Sequence, residues 1–131
     1  MALSPDGSLL ALAAADSAGN ISLWVRPMNS SSVRQLSETD GAQFPFWSPD
    51  NQFIGFFAAG KLKKVSATGG TPMVICDAPN GRGGTWNQDG IIVFAPNFDF
   101  TGLYKVSAAG GTPSPATHLD TTRNESNHRW P

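Results

Sequence analysis

The chain has one cysteine and two histidines in 131 residues, and each scarcity removes a class of function. Cys76 alone excludes an internal disulfide. It lies in the apolar run 73–76, which makes it a small buried hydrophobe rather than a reactive thiol. His118 and His128 stand ten apart with no companion at a spacing that pairs metal ligands on one element, so no metal is expected. Nine basic and ten acidic residues leave almost no net charge, and no basic run exists. That argues against nucleic acid or an anionic membrane surface as the main partner. The most apolar N-terminal run, 9–15, is too short to cross a bilayer, and no signal peptide or membrane segment is visible within the chain. No 3.6-residue apolar period persists over ten residues, so helix content should be very low. There is no Gly-x-Ser-x-Gly elbow, phosphate loop or catalytic-loop signature. The expectation is a chain with no catalytic residues and no cofactor of its own.

What the chain has in quantity is turn formers, 14 Gly and 10 Pro, and a repeat. Lys64-Val65-Ser66-Ala67-Thr68-Gly69-Gly70-Thr71-Pro72 returns as Lys105-Val106-Ser107-Ala108-Ala109-Gly110-Gly111-Thr112-Pro113, eight identities in nine at an offset of 41. Each copy reads as a strand, a Gly-Gly reversal and a second strand that starts at a proline. A second signature has the same rhythm. Ser4-Pro5-Asp6-Gly7 recurs as Ser48-Pro49-Asp50-Asn51 and, altered, as Asn87-Gln88-Asp89-Gly90, at spacings of 44 and 39. Proline presets φ, aspartate bonds its own backbone, and the fourth residue must tolerate the left-handed region. A period in the forties marks a repeat architecture.

Each turn leads into a short apolar strand, at 9–15, 53–58 and 91–95. Third strands follow at 21–26, 62–66 and 103–107, and fourth strands at 33–36, 73–76 and 114–118. Polar connectors at 37–42, 77–83 and 120–127 lead to aromatic-rich inner strands at 44–47, 85–86 and 130–131. Four strands per forty residues is the count of a propeller blade. A sandwich also has many short strands, but it does not require near-copies at this period. The expected fold is all-β: a partial β-propeller of three four-stranded antiparallel blades in an incomplete ring. Blade 1 covers about 1–42, blade 2 about 43–83 and blade 3 about 84–128, and residues 129–131 start a fourth. Propellers close at about four to eight blades. Three blades therefore expose apolar faces, which implies a fragment of a longer protein or a piece that must associate.

Trp47-Ser48-Pro49-Asp50 followed by an apolar strand resembles the WD40-like repeat of TolB-type propellers, across the whole chain. The run 44–57, with 60–65, 82–87 and His128-Arg129-Trp130-Pro131, is similar to the propeller that follows the kinase domain in many bacterial serine/threonine protein kinases. No kinase motif accompanies it: His128-Arg129-Trp130 lacks the needed Asp, and Asp99-Phe100-Thr101-Gly102 has Thr where the metal-binding motif has Gly. The resemblance implies a kinase-associated, non-catalytic binding or sensor module, extracytoplasmic if the kinase likeness holds. The alternatives are the gating propeller of a prolyl-oligopeptidase-type serine peptidase, or a free TolB-like periplasmic scaffold.

The residues expected to carry binding are those in or beside the connectors on one rim: Asp40, Arg82, Arg123, Glu125, His128 and Arg129. In a propeller such loops gather around the mouth of the central channel, where a protein, peptide or small ligand docks. Missing blades of the same longer chain are the other expected partner. The Gly81-Arg82-Gly83-Gly84 run lacks the strand-loop-helix setting of a phosphate cradle and reads as a connector. Three Asn-x-Ser sequons, at Asn20, Asn29 and Asn124, are attributed to chance in a Ser-rich chain.

Overall fold

The computed structural model describes residues 2–78, 81–95 and 103–115. These residues form twelve strands in three antiparallel sheets, with no helix among them. The first sheet holds β1 (Ala2–Leu3), β2 (Leu9–Ala15), β3 (Ile21–Pro27) and β4 (Arg34–Gln35). The second holds β5 (Gln43–Trp47), β6 (Phe53–Ala58), β7 (Lys61–Ser66) and β8 (Met73–Asp77). The third holds β9 (Gly84–Trp86), β10 (Ile91–Phe94), β11 (Tyr104–Ser107) and β12 (Ser114–Pro115). Spatial order follows chain order in every sheet. The first strands β1, β5 and β9 neighbour one another in turn, as inner strands around a common axis do. The sheets are three blades. Pro72 and Pro113 stand just before β8 and β12 rather than inside them, where their missing N–H removes nothing from the ladder.

The Ser-Pro-Asp turns explain why each inner strand reverses into the next. In blade 1 the Ser4 N–H donates to Leu9 O at 2.8 Å, and Ser4 Oγ accepts from the Leu9 N–H at 3.0 Å. The Asp6 carboxylate accepts from the Ser4 and Ser8 hydroxyls at 2.8 and 2.7 Å and from the Ser8 N–H at 2.9 Å. Blade 2 repeats the pattern: Ser48 Oγ donates to Asp50 at 2.5 Å and accepts from the Phe53 N–H at 2.9 Å. Blade 3 solves the problem differently. Asn87 Oδ1 accepts from the N–H groups of both Asp89 and Ile91, so asparagine does alone what serine and aspartate share elsewhere. The fourth turn residues Gly7, Asn51 and Gly90 have φ of 77°, 64° and 76°, the left-handed conformation their residue types tolerate.

No blade has a core of its own. One buried layer lies between blades 1 and 2, with Leu23, Val25 and Leu36 packed against Trp47, Ile54 and Phe56. A second lies between blades 2 and 3, with Phe46, Phe57 and Leu62 against Ile92, Phe94 and Val106. Strand alternation produces this directly: in β6, Ile54 and Phe56 turn to blade 1 while Phe57 turns to blade 3. Three cross-blade bonds fix the stacking of the first pair. Trp47 Nε1 donates to Ala2 O at 2.9 Å, the Asp6 N–H donates to Asn51 Oδ1 at 3.0 Å, and Arg34 Nη2 donates to Ala67 O at 2.8 Å. Between blades 2 and 3 the Gly111 N–H reaches Ile75 O at 3.3 Å. Phe46 settles over Gly55 in its own sheet and over Gly84 in the next, occupying the space where their β-carbons would stand.

Two outcomes follow. Gly55→Val forces the Phe46 ring out of the second layer and costs about 2–3 kcal/mol of stability by overpacking; a thermal midpoint equal to that of the parent chain would refute the packing. The Asp6 carboxyl is held below its ordinary value of 3.8 by the Ser8 hydroxyl, the Ser8 N–H and the Ser4 hydroxyl. Asp50 is held below it by the Ser48 hydroxyl and the Gln52 N–H. A depressed folded-state value means that the stabilisation is present above 3.8 and is lost as pH falls through the folded values. The double variant Asp6→Asn/Asp50→Asn therefore loses less thermal stability than the parent between pH 5 and pH 2, and an unchanged slope would discount these turns as acid-sensitive points.

Candidate functional site

The connectors on one rim are drawn together by a shortage of strand. β4 pairs only Trp24 and Val25 of β3, so the rest of that edge needs other partners. Thr39, 1% exposed, supplies one: its Oγ1 accepts from the Leu23 N–H at 2.9 Å and donates to Leu36 O at 2.8 Å. The Gly41 N–H then donates to Ile21 O at 2.7 Å. These bonds lay residues 36–41 along β3 and carry Asp40 and Gly41 to the rim. Beyond Gly41 the inner strand β5 begins with a bulge between Gln43 and Phe46, and Phe44 sits there at φ 53°. A bulky side chain in the left-handed region stores strain, and such strain persists where the surroundings hold it in place.

The second wall is the turn between β6 and β7, Ala59-Gly60, with φ of 53° and 75°, both positive as a tight two-residue hairpin requires. The Ala78 N–H donates to Gly60 O at 2.8 Å and ties the next connector to this turn. That connector returns as Gly81-Arg82, where the Arg82 N–H donates to Ala95 O at 3.1 Å. Together they enclose a groove of about 230 Å³ lined by Gly41, Gln43, Phe44, Phe57, Ala58, Ala59, Gly60, Ala78, Gly81 and Arg82. The Arg82 guanidinium lies over the Phe44 ring, 5.6 Å from its centroid, within the range of a cation–π contact. The Phe57 ring stands where a β-carbon of Gly81 would be, so any larger residue at 81 would collide with it. The groove thus offers one aromatic-backed cation among exposed backbone and small side chains.

Of the residues expected to bind, Arg82 lines this groove. Asp40 is exposed at its border, one residue before Gly41, and is not part of the lining. Arg123, Glu125, His128 and Arg129 lie outside the described residues, as does His118. Phe44 and Ala59-Gly60 were not singled out as site residues. Their signal is local: an Ala-Gly pair joining two strands, and an aromatic ahead of Pro45 at a bulge. Near the groove the exposed pair Lys61–Asp77 forms an ion pair across β7 and β8, at a surface position where such pairs contribute little.

A larger cavity, about 620 Å³, lies between blades 1 and 2 and is bordered by Leu9, Val25, Pro27, Val33 and Arg34. Four of its polar side chains are committed to structure: Arg34 bonds Ala67 O, Asn51 Oδ1 accepts from the Asp6 N–H, and the Ser66 and Thr68 hydroxyls bond each other. It is an apolar gap between sheets rather than a site with groups converging on a ligand. Cys76 is 7% exposed, and its thiol is pushed up to about 11 by burial and by the nearby Asp77 charge, which leaves no thiolate for nucleophilic work near neutral pH. Among the described residues no group of three or more His, Cys, Asp or Glu is placed to hold a metal. Among them too, no helix is long and apolar enough to cross a membrane.

No family model matches this sequence, and no curated protein does. Solved structures do match its shape. A putative TolB from Agrobacterium tumefaciens superposes with TM-score 0.73 at 20% identity, over 90% of this chain and 48% of that one. A chain of a nidogen/laminin complex superposes with TM-score 0.65 at 13% identity, over 86% of this chain and 45% of that one. The β-propeller domain of the trilobed protease from Pyrococcus furiosus gives TM-score 0.60 at 18% identity, over 88% and 41%. At these identities the likeness shows the fold and nothing finer. The chain is a run of TolB-like propeller blades that spans about half, or less, of the length of the propellers it matches.

Proposed function

We propose that this chain is a non-catalytic binding module that takes an extended peptide or protein segment carrying a carboxylate into the rim groove. The observation that carries the reading is Arg82 held over Phe44 at the mouth of a groove built from three separate loops. The size of the groove decides the class of ligand. About 230 Å³ is below the usual 300–1,000 Å³ of a small-molecule pocket and suits one or two side chains of a larger partner. A guanidinium recognises a carboxylate through paired in-plane N–H donors, and the Phe44 ring gives this one an apolar backing. A nidogen/laminin chain of the same fold, found in a complex of two proteins, supports a protein partner.

The module belongs, in this reading, to the extracytoplasmic part of a bacterial receptor-like serine/threonine kinase, where loop contacts report a ligand to a catalytic domain elsewhere. The support is the sequence likeness around Phe44–Phe57 and Arg82–Asn87. A peptidase gating propeller is the alternative, favoured by the protease neighbour. The flanking coding sequence separates them: a kinase domain and membrane helix upstream, or a Gly-x-Ser-x-Gly and a later His downstream.

The groove itself is tested by fluorescence anisotropy with labelled decapeptides, one set containing Asp or Glu and a matched set containing Asn or Gln. The acidic set binds at least about 10-fold more tightly, and Arg82→Ala or Phe44→Ala erases most of that preference, a loss typical of a charge-assisted contact. Equal affinity for both sets, or a preference untouched by both substitutions, would remove the proposal.

A further inference from the structure

The repeat permits the two joints between blades to be compared residue by residue on the rim of the Ser-Pro-Asp turns, the end of each sheet opposite the connectors. Between blades 1 and 2 the turns are tied. The Asp6 N–H donates across the joint to Asn51 Oδ1 at 3.0 Å, and Trp47, 7% exposed, sends its Nε1–H to Ala2 O. Between blades 2 and 3 the same positions leave the rim open. Asp50 stands in the place of Asp6 and Gly90 in that of Asn51, so there is no side chain to accept from the Asp50 N–H. Trp86 has the place of Trp47, since each pairs with the isoleucine of the next strand, Ile92 and Ile54. It is nevertheless only half-buried. Its ring stacks on Phe53, which replaces the smaller Leu9 of blade 1, with centroids 6.0 Å and planes 23° apart. The result is a groove of about 350 Å³ bordered by Pro49, Asp50, Phe53, Trp86, Gln88 and Gly90, its lining drawn from blades 2 and 3 alone.

We propose that this groove is a second recognition site, on the rim opposite Arg82, and that it takes the guanidinium of an arginine carried by an extended basic segment of a protein partner. Three observations favour that occupant. First, the aromatic pair offers a π face, and tryptophan is the strongest of the rings that attract a cation. The neighbouring ring already does so within the chain, for Lys64 Nζ lies 5.5 Å over Phe53. Second, the Asp50 carboxylate borders the same groove, is exposed, and has a free side. The Ser48 hydroxyl and the Gln52 N–H both donate to its Oδ1, which leaves Oδ2 for an incoming donor. Third, the local charge has the complementary sign. Exposed Asp89 stands between the lining residues Gln88 and Gly90, so two carboxylates face the single ammonium of Lys64. A planar guanidinium stacks on an indole and pairs with a carboxylate through donors in its own plane, whereas a lysine ammonium is a point charge that lacks the flat face. The volume is at the small end of the 300–1,000 Å³ of ligand pockets and suits one such head group.

NMR titration of the isotope-labelled chain tests this, with a Gly-Ser decapeptide containing Arg and a matched decapeptide containing Gln. The Arg peptide shifts the Trp86 indole N–H signal, assigned through Trp86→Phe, together with the Gly90 amide, and it binds about 10-fold or more tightly than the Gln peptide. Gly90→Asn copies the first joint into the second. Asn51 is already at φ 64° and Gly90 at 76°, and a β-carbon on Gly90 would meet nothing within 4 Å, so the variant folds. Its new side chain bonds the Asp50 N–H and erases most of the preference for Arg. Asp50→Asn keeps an amide oxygen for the Ser48 and Gln52 bonds and weakens binding of the Arg peptide about 10-fold. Arg82→Ala leaves these shifts as they are, which separates this groove from the acidic-peptide site on the other rim. Equal shifts of Trp86 with both peptides, binding untouched by Gly90→Asn, or no shift with millimolar Arg peptide would each overturn the proposal.

Discussion

Everything in this fold depends on burial between sheets rather than within them. A four-stranded antiparallel blade has two faces and no interior, so its apolar side chains leave water only when another blade lies against them. Residues with no exposure, such as Ile54, Phe56 and Ile92, are all at such joints. Each large side chain buried there contributes roughly 1.5–3 kcal/mol, and a small domain as a whole is stable by only about 5–15 kcal/mol. Losing one neighbouring blade is therefore comparable in cost to the entire stability of the fold. The same constraint explains why the turns are so heavily bonded. The loops must hold each sheet at the angle that lets the next one reach it.

The rim groove is a by-product of that stacking. Two successive connectors and one hairpin turn meet because β4 is short, because Thr39 bonds the edge that β4 leaves open, and because Ala78 ties back to Gly60. None of these residues has chemistry of its own. They place Arg82 over Phe44, a positive charge on an apolar backing in a groove lined otherwise by small residues, Gln43 and Phe57.

Much of the architecture was legible in the residues. The two repeated signatures located the strands, and Gly7, Asn51 and Gly90 announced left-handed positions because few residue types accept them. Cys76 was legible as a core residue from its apolar neighbours. The third turn was harder, since Asp89 matched the pattern of Asp6 and Asp50 while Asn87 does the capping. The site was legible only in part. Arg82 stood out as a charge in a Gly-rich connector. Phe44 did not, because an aromatic in an inner strand ordinarily signals core, and its φ of 53° arises from a bulge that no short motif encodes. The groove between Ala59-Gly60 and Gly81 depends on a close approach that no short motif encodes, the Phe57 ring standing where a β-carbon of Gly81 would be.

The outermost strands have a further consequence, for solubility. β8 is five residues long, and its Met73 and Val74 are 58% and 57% exposed, whereas β4 spans two residues. Of the outer edges of the first two sheets, β8 thus offers the longer ladder of backbone groups, with apolar side chains beside it, the combination that lets a foreign strand zip on. Pro72 stops that ladder at one end and the charged pair Lys61–Asp77 stands at the other. The first sheet guards its outer edge by brevity and the second by terminators, so of these two edges that of the middle blade is where a foreign strand would attach.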